Sequence, residues 1–483
     1  MQVIRPHITL LVLLVLGVLC CSLMLVMPGD GLKIGTYTLR FKTWASLSDT
    51  GTIKEINVDQ YLAQLDSLSM ATDSLANDSI PDESILREPG LTSLQFANND
   101  PQCLWSFFES CDSIEYGKSV HIMHYGDSQI ETDRISGVIR QSLQEKFGGY
   151  GPGLVAPVPV TPSSNVIQSQ SDNWLRYTSY GYGEKVSHNA FGVMCSFGRF
   201  TPPNLKDKIA TDSTEAWVEL KPTRMGQARC KSFTNATLYI GVKNAGCRLN
   251  LYVNDSLYSS ELLTVADYCQ IKKWHFNTTP QKLKFEFTAT ESPDVYAINL
   301  QGDSGIQLSN IALRGNDGGA FSRVGNSELA ATLNDLDSKL IIMQFGGNAV
   351  PYLSSASAAK TYGKGFKNHI RKMKTVCPGA SIIVIGPSDM STSINGVYQT
   401  WPFLEDLNEG LKETAHEENC GYWDMFQVMG GKNSMLSWVS NDPPYAGPDY
   451  THFTPLGARK IAELFYKALI DEYDHYKDFR KNS

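Results

Sequence analysis

Ser128 is the residue of this chain whose surroundings most favour nucleophilic chemistry. It follows the strand-like run His121–Tyr125 through Gly126 and Asp127, and residues 131–147, which come next, have helical spacing. This order places a hydroxyl at the carboxyl edge of a parallel sheet, above a helix N-terminus that favours an anionic intermediate. The pattern predicts that Ser128 is a nucleophile, provided that a general base lies within reach.

His452 is the base that such a serine requires. It stands three residues after Asp449, in a loop before a helix for which Thr454 is a suitable N-cap and Pro455 a suitable first residue. An aspartate in this position can hold one imidazole nitrogen while the other faces a nucleophile. The spacing predicts a triad of Ser128, His452 and Asp449. We expect no metal and no cofactor, since the sequence contains neither a P-loop motif nor an H-E-x-x-H motif.

The tripeptide Gly-Asp-Ser occurs twice, and its second copy, Gly302–Ser304, lacks the helix that follows the first. Because it stands between two strand-like runs, we interpret it as a structural hairpin-type turn. His121 and His124 lie on the buried strand before Ser128, where we expect core histidines rather than ligands or bases.

Four short motifs occur in the order that characterises one enzyme superfamily. Ser128 in Tyr-Gly-Asp-Ser and Asp449–His452 in Asp-Tyr-Thr-His resemble the first and fifth blocks of the SGNH, or GDSL, hydrolases. Gly315–Ala320 resembles the second block, and Gly346–Asn348, at the end of a strand-like run, resembles the third.

The resemblance implies an oxyanion hole made by the backbone N–H groups of Ser128 and Gly319 and by the side-chain amide of Asn348. Gln129 and Ala349 depart from the residues usual at their positions in the superfamily. These departures bear on substrate preference more than on reaction type, which is acyl transfer through a covalent serine ester.

The elements that must position these residues alternate between strand and helix. Residues 340–345 and 381–386 are short apolar runs typical of buried parallel strands, and residues 361–375 between them have helical spacing. We predict an α/β head in which three layers, α/β/α, are built on a parallel sheet.

Ser128 and Gly319 are unusually far apart for the first two SGNH blocks. Residues 165–303 between them are rich in strands and poor in helical patterns, which predicts an inserted β-sandwich. The head then comprises residues 96–164 and 304–475. An SGNH domain divided by a carbohydrate-binding-like sandwich resembles the peptidoglycan O-acetylesterases and the related O-acetyltransferases.

Four aromatic residues near the start of the insert are candidate sugar-binding groups. Their rings could stack on a glycan, or they could belong to a turn-rich loop in which tyrosine and glycine alternate. They are Trp174, Tyr177, Tyr180 and Tyr182.

The N-terminus predicts a membrane anchor. Residues 8–27 are an unbroken apolar run, and a helix of that length spans about 30 Å, the thickness of a bilayer core. No small-x-small cleavage site follows, so we favour an uncleaved anchor over residues 1–30. Arg5 favours a cytoplasmic N-terminus. The acidic, serine-rich residues 31–95 then form a linker, and the head faces the periplasm or cell wall as part of a single-pass protein of the inner membrane.

Three functions are compatible with these features. The first is an extracytoplasmic esterase that removes O-acetyl groups from a cell-wall or surface glycan. The second is an O-acetyltransferase that uses the same triad with a membrane acyltransferase partner, and the third is an inactive glycan-binding protein. A net charge of −8 argues against a nucleic-acid partner. Disulfides Cys103–Cys111 and Cys377–Cys420 are left open, since a sequence does not determine connectivity.

Overall fold

The computed structural model describes residues 56–65, 90–181, 186–202 and 212–482, with short pieces at 14–16, 18, 22, 32–34 and 37–39. Within these ranges, no helix has both the length and the apolar character needed to span a bilayer. The predicted anchor over residues 1–30 and most of the predicted linker over residues 31–95 lie outside the described residues. Both remain predictions.

The strands, in chain order, are β1 (Leu32–Ile34), β2 (Tyr37–Leu39), β3 (Ser119–Gly126), β4 (Gly153–Val155), β5 (Val166–Gln170), β6 (Leu175–Thr178), β7 (Ser196–Arg199), β8 (Thr214–Pro222), β9 (Asn235–Gly241), β10 (Cys247–Val253), β11 (Ser256–Leu263), β12 (Gln270–His275), β13 (Leu283–Ala289), β14 (Asp294–Gln301), β15 (Gly305–Ala312), β16 (Ser338–Gln344), β17 (Ser381–Ile385), β18 (Ser391–Ile394), β19 (Val397–Thr400) and β20 (Gly421–Trp423). The α-helices are α1 (residues 58–65), α2 (Trp105–Asp112), α3 (Ser136–Phe147), α4 (Asn326–Asp335), α5 (Ala356–Val376), α6 (Leu404–Glu417), α7 (Met425–Val428), α8 (Ser434–Ser440) and α9 (Pro455–Asn482).

A five-stranded parallel sheet in the order β15-β3-β16-β17-β20 forms the centre of the head. The central strands β16 and β17 are apolar along most of their length, because helices cover both faces of the sheet. Ile122 and Ile342 pack against α2, α3 and α9 on one face, whereas Met123 and Met343 pack toward α4, α5 and α6 on the other. The predicted α/β fold with a parallel sheet is confirmed.

The insert contains two antiparallel sheets, β11-β10-β13-β8-β5 and β12-β9-β14-β7-β6. Strand β13 shows the alternation that such a sandwich requires: Leu283, Phe285 and Phe287 are buried between the sheets, and the residues between them are less buried. Strand β4 pairs with β14, so the insert's sheet recruits a segment before residue 165. Gly302–Ser304 joins β14 of the insert to β15 of the head, and is therefore a connection between sheets rather than a hairpin.

Helix α1 lies within the predicted linker but packs on the head. Val58, Leu62 and Leu65 are buried in the cluster that covers one face of the parallel sheet. The Tyr445 hydroxyl donates a hydrogen bond to Asp59 Oδ1 at 2.8 Å. This part of the chain is thus a docked helix, which shortens the tether expected between the predicted anchor and the head.

The cysteines in the described part of the chain are free thiols. Neither of the two pairings left open by the sequence, Cys103–Cys111 and Cys377–Cys420, is formed.

Candidate active site

Ser128, His452 and Asp449 form one hydrogen-bonded chain at the carboxyl edge of the parallel sheet. Ser128 Oγ lies 2.8 Å from His452 Nε2, and His452 Nδ1 lies 2.7 Å from Asp449 Oδ2. The serine comes from the end of β3, and the other two residues come from the loop before α9. The structure thus brings Ser128 together with two residues that lie more than 300 positions later in the sequence.

The loop that carries His452 is folded around Asp449. Besides its contact with the imidazole, the carboxylate accepts hydrogen bonds from the backbone N–H groups of Thr451, at 3.1 Å, and His452, at 3.0 Å. Burial acts to raise the pKa of Asp449, but these hydrogen bonds outweigh it and hold the pKa below its ordinary value. Asp449 is therefore kept ionised, as a group that orients and stabilises an imidazolium must be.

The end of this loop is fixed by the start of α9. Pro455 is the first helical residue, and the N–H of Gly457 donates to Thr454 Oγ1 at 3.3 Å, as the sequence predicts for an N-cap. A Cβ atom at Gly457 would lie 1.9 Å from the carbonyl oxygen of Tyr445, so only glycine fits there.

The segment after Ser128 differs from the prediction. Ser128–Asp133 is a 3-10 helix interrupted by non-helical residues at Glu131 and Thr132, and α3 begins only at Ser136. The dipole of α3 therefore does not act directly beneath the serine. Ser128 is nevertheless the first residue of a helical turn, where backbone N–H groups have no partner inside the helix.

The buried Asp127 pairs with the half-buried Asn348 beside the serine. Asn348 Nδ2 donates to Asp127 Oδ2 and to the carbonyl oxygen of Asn316, each at 3.2 Å, and the N–H of Gln129 donates to Asp127 Oδ1 at 2.9 Å. Burial raises the pKa of Asp127 to about 6, despite these stabilising contacts. Asn348 is thus held next to Ser128, in a position compatible with the predicted oxyanion role.

The Gly319 N–H is engaged within its own loop, where it donates to Asp317 Oδ1 at 2.9 Å. The predicted oxyanion role requires it to exchange this acceptor and stays a prediction. The residue that organises this loop is Asn316, whose Oδ1 accepts the N–H groups of Gly318, at 2.7 Å, and Ala320, at 3.2 Å. An Asn or Asp followed by glycines is a known signal for such side-chain-to-backbone turns, and it could have indicated Asn316.

Gln129 and Arg134, for which the sequence predicts no positioning role, hold the loop of His452 against the serine. Gln129 Nε2 donates to the carbonyl oxygen of Thr451 at 2.6 Å. Arg134 donates through Nη1 to the carbonyl oxygen of Phe453 at 3.3 Å, and through Nε to the carbonyl oxygen of Glu131 at 3.0 Å. Gln129, which differs from the residue usual at its position in the SGNH superfamily, therefore helps to position the loop of His452.

A cavity of about 260 Å³ opens beside Ser128 and His452. Its walls include Asn348, Tyr352 and Trp401. Tyr352 is 86% exposed and stands free at the rim, where its ring can contact a ligand. Among the described residues, no group of three His, Cys, Asp or Glu side chains comes together in a way that could hold a metal ion.

The aromatic residues predicted to stack on sugars are placed differently. Trp174 is buried, donates through Nε1 to the carbonyl oxygen of Trp217 at 3.0 Å and packs edge-on against Phe200, and Tyr177 is 1% exposed. Both are core residues and offer no free face to a sugar. Tyr180 is half-buried, and Tyr182 lies outside the described residues, so its role remains a prediction.

This arrangement can perform acyl transfer. The imidazole can take the proton of Ser128 as the hydroxyl attacks a carbonyl carbon, and Asp449 can stabilise the resulting imidazolium. Ser128 N–H, Gly319 N–H and Asn348 Nδ2 are the candidate donors for the oxyanion, the last two by exchanging a present acceptor.

Comparisons with known proteins agree with this chemistry. Residues 285–460 match the model of the GDSL-like lipase/acylhydrolase family, a range that includes Asn348, Asp449 and His452 but not Ser128. The curated proteins contain no match to the sequence.

The solved structures that match this chain include an esterase with a similar fold. The structure described as "Peptidoglycan O-acetylesterase in action" is 17% identical and has a TM-score of 0.59, with 76% of this chain and 96% of that chain covered. A family two carbohydrate esterase from Cellvibrio japonicus is also among the matches, at 8% identity with 64% and 99% covered, and its TM-score is 0.26. The first likeness shows the fold alone.

Proposed function

We propose that this chain, whose residues 285–460 match the GDSL-like lipase/acylhydrolase family model, is an SGNH-type esterase that removes O-acetyl groups from a cell-wall or surface glycan. The observation that carries the proposal is the hydrogen-bonded chain from Ser128 through His452 to Asp449.

The reaction proceeds in two half-reactions. Ser128 Oγ attacks the acetyl carbonyl while its proton passes to His452 Nε2, and the tetrahedral intermediate collapses to an acetyl-serine as the sugar oxygen leaves with that proton. Water then attacks the acetyl-serine, again giving a proton to His452, and acetate and free Ser128 are formed. Asp449 stabilises the imidazolium in both steps without taking the proton.

The shape of the cavity favours a short acyl group on a large alcohol. Its volume of about 260 Å³ lies below the roughly 300–1,000 Å³ of pockets that enclose drug-sized ligands. Tyr352, exposed at the rim, provides an aromatic surface for the sugar that carries the ester. The fold likeness to a peptidoglycan O-acetylesterase makes peptidoglycan the first glycan to test.

We place the head outside the cytoplasm, held to the membrane by the apolar residues 8–27. Cell-wall and surface glycans lie on that side, so this location gives the enzyme access to its substrate.

Acetate release from O-acetylated peptidoglycan tests the proposal. The wild type should release acetate, and Ser128→Ala should lower the rate by at least about 10⁴-fold, as for other nucleophile deletions. Ser304→Ala is a matched control, because Ser304 follows the second Gly-Asp pair and has no histidine partner among the described residues. It should keep the wild-type rate.

The same assay separates the alternatives. Adding an acetyl donor and unacetylated glycan would reveal an O-acetyltransferase, if acetylated glycan forms faster than acetate. A glycan-binding protein without activity would bind the polymer but form neither product, and equal rates for the wild type and Ser128→Ala would refute the proposed mechanism.

A further inference from the structure

A second cavity, of about 110 Å³, lies in the groove between the head and the insert. Glu131 and Ala312 line it from the head, and Leu154, Arg176 and Ser196 line it from the other side. Since Glu131 is only three residues after Ser128, the Cα atoms of the two residues are at most about 11 Å apart. A glycan whose ester lies at Ser128 therefore has this groove within the reach of its next sugar or side group.

Arg176 is a cation that has no anionic partner among the described residues of this groove. It lies on β6, which pairs with β7 and stands last in the order of the described sheet. Its Nη2 donates to the Tyr180 hydroxyl at 3.4 Å, and its Nε is buried without an acceptor. In the part of the chain that the structure describes, no carboxylate lies within 4.0 Å of its guanidinium, although a half-buried charge is costly unless it is paired.

The acidic residues of the groove are already neutralised by other arginines. Glu131 accepts hydrogen bonds from Arg314, with Nε at 2.8 Å from Oε1, and Asp133 is ion-paired with the buried Arg140 at 2.5 Å. Among the described residues of the groove, Arg176 therefore keeps a positive charge that no carboxylate neutralises. The groove is locally positive, although the net charge of the chain is −8.

We propose that Arg176 binds a carboxylate of the substrate, and that the preferred glycan is one that carries carboxylate groups close to the acetylated sugar. A guanidinium with free N–H groups can hold a carboxylate by two parallel hydrogen bonds, which a neutral sugar cannot reproduce. The inference rests on the proposed function and narrows its substrate class from acetylated glycans to anionic ones.

The test compares two O-acetylated muropeptides, one with free carboxylates and one whose carboxylates are converted to methyl amides, with p-nitrophenyl acetate as a neutral ester. The wild type should favour the free carboxylates in kcat/KM by roughly tenfold to a hundredfold, the range for a hydrogen bond to a charged group. Arg176→Gln should lose this preference and keep wild-type hydrolysis of p-nitrophenyl acetate. Arg176→Lys should keep part of the preference, because it keeps the charge but not the planar fork.

Arg248→Gln is the matched control. Arg248 is an exposed arginine of the same insert, hydrogen-bonded to the Ser260 hydroxyl at 3.4 Å, and its removal should leave the preference intact. The inference is overturned if the wild type hydrolyses both muropeptides equally well, or if Arg176→Gln keeps the preference. If the wild type hydrolyses none of the three esters, the proposed function itself fails, and the inference falls with it.

Discussion

The substitution Asp127→Asn should raise the stability of the fold relative to the wild type as the pH increases, while it lowers the catalytic activity of the site. The Asp127 carboxylate is buried, and its burial raises the pKa from 3.8 to about 6. Asparagine keeps the shape of the side chain and an oxygen that can accept the N–H of Gln129, but it carries no charge. Its amide nitrogen would face Asn348 Nδ2, which is also a donor, so Asn348 loses one acceptor.

The size of the stability effect follows from the pKa. A rise from 3.8 to about 6 is roughly two pKa units, or about 3 kcal/mol at 1.36 kcal/mol per unit. Below pH 3.8 the carboxyl is protonated in both the folded and the unfolded chain, so its burial causes no loss of stability from ionisation. Between pH 3.8 and 6 the unfolded chain ionises first, so the wild type loses stability as the pH rises. Above pH 6 the carboxyl is ionised in both states, and the loss of stability no longer changes with pH.

Urea unfolding of the wild type and Asp127→Asn from pH 4 to 8 measures this difference. The stability of the variant relative to the wild type should rise by at most about 3 kcal/mol as the pH increases from 4 to above 6, and should then stay constant. Other carboxyls with raised pKa values, such as Asp389, occur in both proteins and cancel in the difference. A difference that is constant from pH 4 to 8 would refute the reasoning. Ester hydrolysis should meanwhile fall by up to about 10²-fold, because Asn348 loses its orientation.

Three further substitutions test the parts of the site separately. His452→Ala should abolish hydrolysis and leave the unfolding temperature almost unchanged, because the side chain is 36% exposed, and a large loss of stability would assign His452 a structural role. Asp449→Asn should lower kcat by about 10⁴-fold by favouring the wrong imidazole tautomer, so a loss below tenfold would argue against its role. Gln129→Leu should lower kcat by about tenfold with little change in KM, since it removes the donor to the carbonyl oxygen of Thr451, and an effect confined to KM would contradict this.

The features that the sequence predicts correctly are those encoded over a few neighbouring residues. The apolar runs of β3, β16 and β17 identify buried parallel strands because helices cover both faces of the sheet. Asp449 and His452 are recognisable because one short loop must hold both, and the N-cap at Thr454 marks where that loop ends.

The features that the sequence misses depend on partners distant in the chain. The sequence does not reveal that Trp174 is buried, because the carbonyl oxygen that accepts its indole N–H belongs to Trp217 of β8. The present acceptor of the Gly319 N–H, Asp317 Oδ1, becomes apparent only when the loop turns back on itself. The sequence around Arg176 does not distinguish it from other arginines. Only the fold shows that no carboxylate lies near its guanidinium among the residues that the structure describes.

The insert is connected by hydrogen bonds to the 3-10 turn Ser128–Asp133, which carries the nucleophile. Asp133 ends the 3-10 turn that Ser128 begins, and its carboxylate is shared between Arg140 of α3 and the Nδ2 of Asn165, which lies just before β5 of the insert. Asn165 Oδ1 in turn accepts the N–H of Gln227, at 2.9 Å, from the segment that follows β8, the strand paired with β5. Because a buried ion pair is costly to disrupt, this contact fixes the insert relative to Ser128. A sandwich held in this way can present a group such as Arg176 at a constant distance from the scissile ester, so substrate preference can change on the insert without disturbing the chain of hydrogen bonds that performs the chemistry.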